Sequence, residues 1–478
     1  MAVWSEHIPL NIAGNDISVL GQLLLNTRRR FESVHLYDIA SNDLGPLRST
    51  VIREISSPSL RSLSLFSDFI ARVPVIEDSA RNRLPLTPEH APNLRFFALD
   101  DVELLPANGF SCLTHLALID SWVYTSWSTA ESPENFHSRL LKFLKECPRL
   151  ESIVLMNFVL RLAEGEVLRE PAPLPLPHLQ HVTLCNFDPE AIRYYVSLLQ
   201  PRVDGSSIQI LGYHPREPWF PGHFLLPPDS TRADAQALKQ ICVGVHTRAP
   251  HNPEYSISVT TVSSSSTRRL VARSSQLADT ITPYDWPSSI LSQPPTASLP
   301  LPMEEVWLYG FSGTTIPRIH SPLLHLPHIT RVLVLATDRR LHYDDSDIPT
   351  LRHLPTALDL LPGPISISAV RIVYGFSEPS EPFRERSPFD WHGLGPAVNL
   401  YHLPLVQLVD DLRSGAYAYL KHFVLQATPH MWVSEDELAA VREAGRFETF
   451  VFEHIATFPE MPGHSDPARK ERFPNPRW

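Results

Sequence analysis

One short apolar pattern recurs along this chain and constrains its fold more than any other feature. The pattern is apolar-x-x-apolar-x-apolar, and the segment LPHLQHVTLCNF (176–187) shows it with Leu179, Val182 and Leu184 in the three apolar places. Copies begin at Phe31, Leu60, Leu94, Leu113, Leu150 and Leu179, more weakly at Ile208, and then at Met303, Ile329, Ile367, Leu420 and Phe447. So many copies of one strand-like frame predict a repeat protein.

The spacing of the copies indicates which kind of repeat. The first six start 29, 34, 19, 37 and 29 residues apart, by subtraction of their positions. Leucine-rich repeats of regular length have about 20 to 29 residues, so several units here are enlarged by loops or longer helices. The position three past the last apolar residue of the frame holds no Asn or Cys in the first six copies, so we expect packing, and no asparagine ladder, to stabilise the turns.

Helices are predicted between the strands. Ser132-Pro133 and Asp188-Pro189 have the cap and first-turn residues of two of them. Others are predicted at 16–30 and 405–413, and at 434–444, where Ser434 and Glu437 form a capping box and Gly445 ends the helix. Strands alternating with helices favour parallel pairing through right-handed crossovers.

We therefore predict an α/β fold, an irregular leucine-rich-repeat solenoid. Its curved parallel sheet forms the concave side, and its helices and loops form the convex side. The alternative is an ordinary α/β domain with buried strands.

Proline-rich and serine-rich stretches divide the repeats. Residues 1–214 are predicted to form an N-terminal repeat half and residues 303–458 a C-terminal one. Between them, 215–302 is predicted to be an irregular insertion or hinge, with a true domain boundary as the alternative; within it we expect a helix at 234–243 and a strand at 255–262. Residues 459–478, rich in proline and charge, are predicted to be a flexible tail.

Composition excludes several classes of protein. A net charge of -11 argues against a nucleic-acid binder, which needs a basic face for phosphates. The cysteines, Cys112, Cys147, Cys185 and Cys242, are far apart and form no CxxC pair, which argues against disulfides and a zinc site and favours a reducing compartment. Neither a signal peptide nor an apolar run of about 18 residues is present, so no membrane association is expected. We expect a monomer in the cytoplasm or nucleus.

Catalytic and cofactor motifs are not found. The chain has no Walker loop, GxSxG elbow or HExxH pair. Histidines at outward strand positions, among them His35 and His181, could bind a metal, but polar contacts on a half-exposed sheet explain them better. The sequence thus predicts a non-enzyme with no cofactor and no metal; the alternative is an enzyme whose catalytic insertion is 215–302.

The outward positions of the strands are the predicted binding surface. If the frame residues point into the core, the alternate residues line the concave face. The residues predicted to bind a protein partner there are His35, Tyr37, Phe66, Phe96, Asp100, His115, Met156, His181, Thr183, Glu305, Trp307, Tyr309 and Arg331. Aromatic residues, Met and Arg are enriched at protein interfaces. The alternative is that inserted loops or helices cover part of the sheet, which would make Phe96 and Trp307 core residues.

Four segments carry a resemblance to a known family. PNLRFFALDDV (92–102), FSCLTHLALID (110–120), CPRLESIVLMNF (147–158) and LPHLQHVTLCNF (176–187) resemble the repeats of the F-box and leucine-rich-repeat proteins of mushroom-forming fungi. The opening, HIPLNIAGND and then LLNTRRRFESVHLYDI, resembles the segment that follows the F-box in that family.

In that family the F-box docks onto the adaptor subunit of a cullin ubiquitin ligase, and the repeats select the substrate. Here the F-box itself is absent, because the residues before Phe31 leave no room for its three helices, so no adaptor-binding residue can be carried over. The sequence therefore predicts a non-enzymatic interaction scaffold, which is either the substrate-recognition part of such a receptor or a stand-alone repeat protein. Binding of the cullin-ligase adaptor is expected only if an F-box precedes this sequence.

Overall fold

The structure is a computed structural model of the chain. It describes residues 10–14, 31–39, 58–67, 84–100, 105–119, 133–157, 171–187, 189–201, 206–213, 238–249, 252–263, 266–273, 303–309, 330–338, 351, 354, 356, 367–375 and 401–459. The chain divides into two compact units, and these residues lie within Met1–Tyr213 and within His214–Asp466. The helix predicted at 16–30 and the tail after 459 lie outside the described residues.

The first unit is a parallel sheet with two described helices. Its elements are β1 (Leu10–Gly14), β2 (Phe31–Ile39), β3 (Ser62–Ser67), β4 (Phe96–Leu99), β5 (His115–Ile119), α1 (Pro133–Lys145), β6 (Ser152–Met156), β7 (His181–Cys185), α2 (Pro189–Leu198) and β8 (Ser206–Tyr213). Each strand pairs with the next one along the chain, always in parallel. Both helices begin at the prolines that the sequence indicated.

The apolar frame lies in register from strand to strand. Leu63 pairs with Phe97, Phe97 with Leu116, and the same row continues through Ile153 to Val182. All of these side chains are buried. The predicted core face of the first unit is therefore confirmed. Its last copy is shifted, because the structure pairs Ile208 and Ile210 with Val182 and Leu184, whereas the sequence pattern had placed Ile208 at the start of the frame.

A tight turn leads into many of the strands. The Leu94 amide donates to the Ala91 carbonyl at 3.2 Å, and equivalent bonds occur at Leu113, Leu150, Leu179 and Leu420. Proline often follows the acceptor, as Pro92, Pro148 and Pro177 do, and its fixed φ suits the second position of such a turn. Several of the 47 prolines of the chain thus share one structural role.

Successive repeats are also joined by a shared acceptor. The Arg61 carbonyl accepts hydrogen bonds from the amides of both Arg95 and Phe96, at 2.8 and 2.9 Å. The carbonyls of Arg95, Thr114, Glu151, Ser368 and Lys421 accept from two consecutive amides in the same way. This shared-acceptor arrangement recurs at the starts of strands in both units. It sets the residue at which parallel pairing begins.

Helix α1 packs on the frame face through aromatic side chains. Phe143 lies 6.5 Å from Phe97 and 6.1 Å from Phe110, measured between ring centroids, and all three are buried. Cys147 fixes the end of this helix, since its Sγ accepts from the Phe110 amide at 3.3 Å and donates to the Phe143 carbonyl at 3.2 Å. Burial raises the pKa of the Cys147 thiol to about 12, so this cysteine is an unreactive packing residue.

Two asparagines stabilise the turns after β6 and β7, which corrects the expectation that no such residues exist. Asn157 and Asn186 have positive φ values of 63° and 56°, and the Asn186 side-chain amide donates to Asn157 Oδ1 at 2.8 Å. Gly212, near the end of β8, has a φ of 68°, and a Cβ atom there would collide with Asn186 Oδ1. The pair lies one residue earlier than the position that regular repeats suggested, and the dipeptide Asn-Phe in both copies was its sequence signal.

Replacement of Asn186 by alanine should lower the free energy of unfolding by about 2 kcal/mol. It removes the bond to Asn157 and forces a residue with a Cβ and no local hydrogen bond into the left-handed region. Asn186→Gly should lower the free energy of unfolding by less, because glycine adopts that backbone conformation without strain. Denaturant unfolding of both variants measures the difference. Equal losses would show that the backbone conformation does not contribute.

The second unit combines an antiparallel part with a parallel part. Its elements are β9 (Leu238–Ala249), β10 (Asn252–Ser263), β11 (Ser266–Arg273), β12 (Met303–Tyr309), β13 (Thr330–Asp338), β14 (Ala369–Gly375), β15 (Tyr401–His402), α3 (Val406–Arg413), β16 (His422–Ala427), β17 (Met431–Trp432), α4 (Glu435–Ala444) and β18 (Thr449–His454). Strands β9, β10 and β11 are antiparallel, whereas β9, β12, β13, β14, β16 and β18 pair in parallel in that order. Strands β15 and β17 form a small separate pair.

The region predicted to be irregular contains long strands in its described parts. The helix predicted at 234–243 is wrong, since Leu238–Ala249 is a strand. Ile241, Val243 and Val245 alternate at period two, and these β-branched side chains outweigh the helix-favouring residues before them. The strand predicted at 255–262 is confirmed within β10.

The second apolar frame is also in register. Val306, Leu333, Val370, Phe423 and Phe450 pair successively across β12, β13, β14, β16 and β18. Helices α3 and α4 confirm the predicted ones, including the capping box at the start of α4. In its described parts the protein is thus α/β, with long runs of parallel strands and few helices, an arrangement compatible with a solenoid-like repeat fold.

The capping box also connects α4 to its surroundings. Glu437 accepts from the Leu405 amide at 3.1 Å and lies 2.8 Å from His402 Nε2. Burial raises the pKa of Glu437, but the hydrogen bonds from Ser434, His402 and Leu405 together lower it below its usual value. The carboxylate is therefore charged at neutral pH and holds the start of α3 near the start of α4.

Candidate interaction surface

The starts of the strands in the first unit form one row on the face opposite the frame. We call Ser33, Ser62, Phe96, His115, Ser152, His181 and Ser207 the strand-start row, because each pairs with the next across neighbouring strands. Neighbouring strands are about 4.8 Å apart. The row therefore places hydroxyl and imidazole groups at nearly regular intervals along the sheet.

Histidine and hydroxyl side chains contact each other along this face. His35 Nδ1 lies 2.9 Å from Ser64 Oγ, and His181 Nδ1 lies 2.9 Å from Ser207 Oγ. His115 Nδ1 lies 2.8 Å from Thr114 Oγ1, while its ring stacks on Phe96 with centroids 4.8 Å apart. These contacts hold the rings in place, so this face of the sheet has a defined arrangement of groups that both donate and accept.

His35 contributes hydrogen-bonding groups more than charge. Burial lowers the pKa of His35, which keeps its imidazole neutral at pH 7. A neutral imidazole donates from one nitrogen and accepts at the other. The chemistry of this face therefore suits polar, uncharged groups such as the peptide bonds and side-chain amides of another protein.

The predicted contact residues of the first unit do not share one environment. His35, Phe96, Met156 and His181 are half-buried and reachable from solvent. Phe66, Asp100, His115 and Thr183 were predicted to be exposed, and this is wrong, because each is at most 5% exposed. Tyr37 lies in β2, but its side chain is outside the described part. Small or apolar neighbours such as Ala98, Ala117 and Val154 make the middle of this face a second buried layer.

The predicted contact residues of the second unit are mostly core. Trp307 and Tyr309 are 7% and 8% exposed and belong to a cluster with Cys242, Val334, Ala336, Val373 and Phe458. Phe458 contacts Tyr309 edge to face, with ring centroids 5.7 Å apart. Residues that follow β18 therefore cover this face, so the prediction of an exposed Trp307 and Tyr309 is wrong. The alternative that Trp307 is a core residue is correct.

Glu305 and Arg331 complete the predicted set. Glu305 is half-buried, and its Oε2 accepts from Trp307 Nε1 at 2.8 Å and from Gln240 Nε2 at 2.9 Å. This carboxylate positions the buried indole. The Arg331 side chain lies outside the described residues. Within the described part of the second unit, the structure therefore shows none of the predicted contact residues on an exposed surface.

Ser207 belongs to the strand-start row and was missed from the sequence. The shifted frame of the weak seventh copy hid it, although the alternation Ile208-x-Ile210 would have placed Ser207 beside His181. The signal was available, because period two is the stronger criterion for a strand than the longer repeat frame.

The structure also bears on other kinds of site. All four cysteines are free thiols, and burial raises the pKa of Cys242 as well as that of Cys147. Within the described ranges, no group of three or more His, Cys, Asp or Glu side chains is placed to hold a metal ion. None of the helices that the structure describes has the length and apolar character needed to cross a membrane.

Comparison with known proteins adds no family to this description. No protein-family model matches the chain, and no curated protein matches it significantly.

Proposed function

We propose that this protein is a non-enzymatic interaction scaffold, built as an irregular leucine-rich-repeat solenoid, whose strand-start row contacts a protein partner. The observation that carries the proposal is the row itself. Its half-exposed members, Ser62, Phe96, His181 and Ser207, lie on successive or nearby strands of a rigid sheet. A site on regular strands holds its side chains more firmly than a loop does, which reduces the entropy lost on binding.

Phe96 is the proposed anchor of the contact. Its ring is half-buried and stacked on His115, so one face is fixed while part of the ring stays open to solvent. Aromatic residues with a fixed orientation supply much of the binding energy at interfaces. The serine and histidine groups around it would supply directional hydrogen bonds.

We further propose that the scaffold is the substrate-recognition part of a ubiquitin-ligase receptor of the F-box type. The resemblance of the four repeat segments to that family supports this proposal. Such a receptor would act in the cytoplasm or nucleus. The cullin-ligase adaptor would bind only a longer chain that carries an F-box ahead of these repeats.

Affinity capture with surface variants tests the scaffold proposal. A triple variant of half-exposed members of the row, Phe96→Ala, His181→Ala and Ser207→Ala, should lose proteins that the unaltered chain recovers. His178→Ala is the matched control, because His178 is exposed in the turn just before β7 and lies outside the row. Recovery of the same proteins at the same level by the triple variant would contradict the proposal.

A second capture tests the receptor proposal. The chain is expressed alone and with the residues encoded directly upstream in its gene. Recovery of the cullin adaptor by the longer form alone is the expected result. If neither form recovers the adaptor while the scaffold capture succeeds, the scaffold proposal stands and the receptor proposal is wrong.

A further inference from the structure

In the part of the chain that the structure describes, strand β18 ends the parallel sheet of the second unit and has one unpaired side. Among the described residues it pairs only with β16. The Thr449 amide donates to the Lys421 carbonyl at 3.2 Å, and the Ile455 amide donates to the Ala427 carbonyl at 2.9 Å. Because backbone groups alternate between the two sides of a strand, the amides and carbonyls of Phe450 and Phe452 point to the open side.

The features that usually protect an open edge are missing from this strand. Residues Thr449–His454 contain no proline and no lysine, and their register with β16 has no bulge. Val451 is 43% exposed, one of three large apolar side chains so exposed in the described part. The single carboxylate of the strand, Glu453, is already bonded to Gln426. Among the described residues, nothing therefore prevents another strand from pairing at this edge.

The sequence of β18 is complementary to itself when two copies run antiparallel about Val451. In this register Phe450 of one copy faces Phe452 of the other, and Val451 faces Val451. Thr449 faces Glu453, and Glu448 faces His454, so no like charges lie directly opposite each other. The outward backbone groups of Phe450 and Phe452 also meet as a hydrogen-bonded pair, as antiparallel geometry requires.

The same register continues the packing within each copy. Phe450 is half-buried and extends the aromatic stack formed by Phe423 and Phe447, with ring centroids 6.0 and 6.3 Å away. Arg442 covers part of its ring at 5.2 Å. Phe452 of a second copy would lie beside Phe450 and extend the row of frame side chains by one strand.

We propose that the chain forms a two-fold homodimer by antiparallel pairing of β18 with β18 of a second copy, centred on Val451. A contact made by single edge strands is smaller than a standard interface of about 1,600 Å², so the association is reversible and depends on concentration. The dimer replaces the monomer expected from the sequence. It is independent of the partner proposed for the strand-start row.

Charge-pair variants of the full chain test the proposal by sedimentation equilibrium. The unaltered chain should show a monomer–dimer equilibrium. Val451→Lys and Val451→Glu should each weaken it at least about tenfold, because each places like charges opposite one another at the two-fold axis. An equal mixture of the two variants should associate again, since the lysine of one copy then faces the glutamate of the other across the axis. This recovery cannot arise from misfolded protein.

The matched control is Val406→Lys, which changes a valine at the start of α3 that is 63% exposed. It should dimerise like the unaltered chain. The proposal is overturned if the unaltered chain stays monomeric at every concentration, the result expected if its own residues cover this edge. It is equally overturned if Val451→Lys dimerises normally, or if the mixture associates no better than its components.

Discussion

Replacement of Phe97 by alanine is expected to reduce the free energy of unfolding of the first unit by about 4 kcal/mol. Phe97 is fully buried and pairs with Leu63 on one side and Leu116 on the other. Its ring also contacts Phe110 and Phe143, with centroids 6.1 and 6.5 Å away, and so joins the sheet to helix α1. Alanine would leave a cavity beneath that helix, and the surrounding strands are too constrained by their pairing to fill it.

Denaturant unfolding, followed by hydrogen exchange in peptides from 84–119, measures this loss within the first unit. Exchange must be followed separately in the first and second units, because a chain with two units need not unfold in one step. Exchange in 420–454 of the second unit should be unchanged. A loss below about 1 kcal/mol would show that Phe97 does not hold α1 to the sheet.

The neighbouring Phe96 provides the matched control. It is the same residue type in the same strand, but it faces the opposite side of the sheet and is half-buried. Phe96→Ala should cost about 1 kcal/mol or less in stability and should impair partner capture, whereas Phe97→Ala should impair folding first. Equal effects of the two variants on stability would contradict the assignment of the two faces.

The second large effect is expected at Asp411, a buried carboxylate in α3. Asp411 is 7% exposed, and its Oδ2 accepts from the Leu351 amide at 2.8 Å while its Oδ1 accepts from Gln407 Nε2 at 3.1 Å. Asp411→Ala would leave a buried amide without this acceptor. Removing an acceptor of this kind should lower the free energy of unfolding of the second unit by about 3 kcal/mol.

Asp411→Asn tests how much of this stabilisation comes from the hydrogen bond to Leu351 and how much from the negative charge of the carboxylate. Asparagine keeps one oxygen that can accept from Leu351, so this variant should lose about 1 kcal/mol, the difference between a charged and a neutral acceptor. Denaturant unfolding with hydrogen exchange in 401–420 measures both variants. If Asp411→Ala costs no more than Asp411→Asn, the bond to Leu351 does not contribute to stability.

Local pattern was sufficient for most of the described elements. The frame strands, helices α1 to α4 and the capping box all follow from periodicity and cap residues, because these depend on neighbours in sequence. Local sequence pattern gave wrong predictions where two local signals competed. At 238–249 the alternation of β-branched residues prevailed over helix formers, and at Asn157 and Asn186 a turn residue lay one position from where a regular repeat has it.

The binding surface was predicted less well, for a different reason. The alternation of side chains along a strand predicts which residues share a face, but it does not predict what packs against that face. Phe66 and Thr183 share the face of His35 and are buried, while His181 on the same strand as Thr183 is half-buried. Exposure depends on residues distant in sequence, which no local pattern contains.

By itself, the sequence determined the parallel frame strands and most of the side chains that lie in their frame, because a repeated apolar spacing permits one inward face and one register. Only the tertiary structure decided which parts of the opposite face remain open. Phe458 packs on Tyr309 and converts a predicted contact surface into core, whereas Phe96, His181 and Ser207 of the strand-start row stay partly exposed. Among the described residues, no strand pairs with the outer edge of β18. The physical reason is that burial arises from contacts between distant segments, and these form only when the chain has folded.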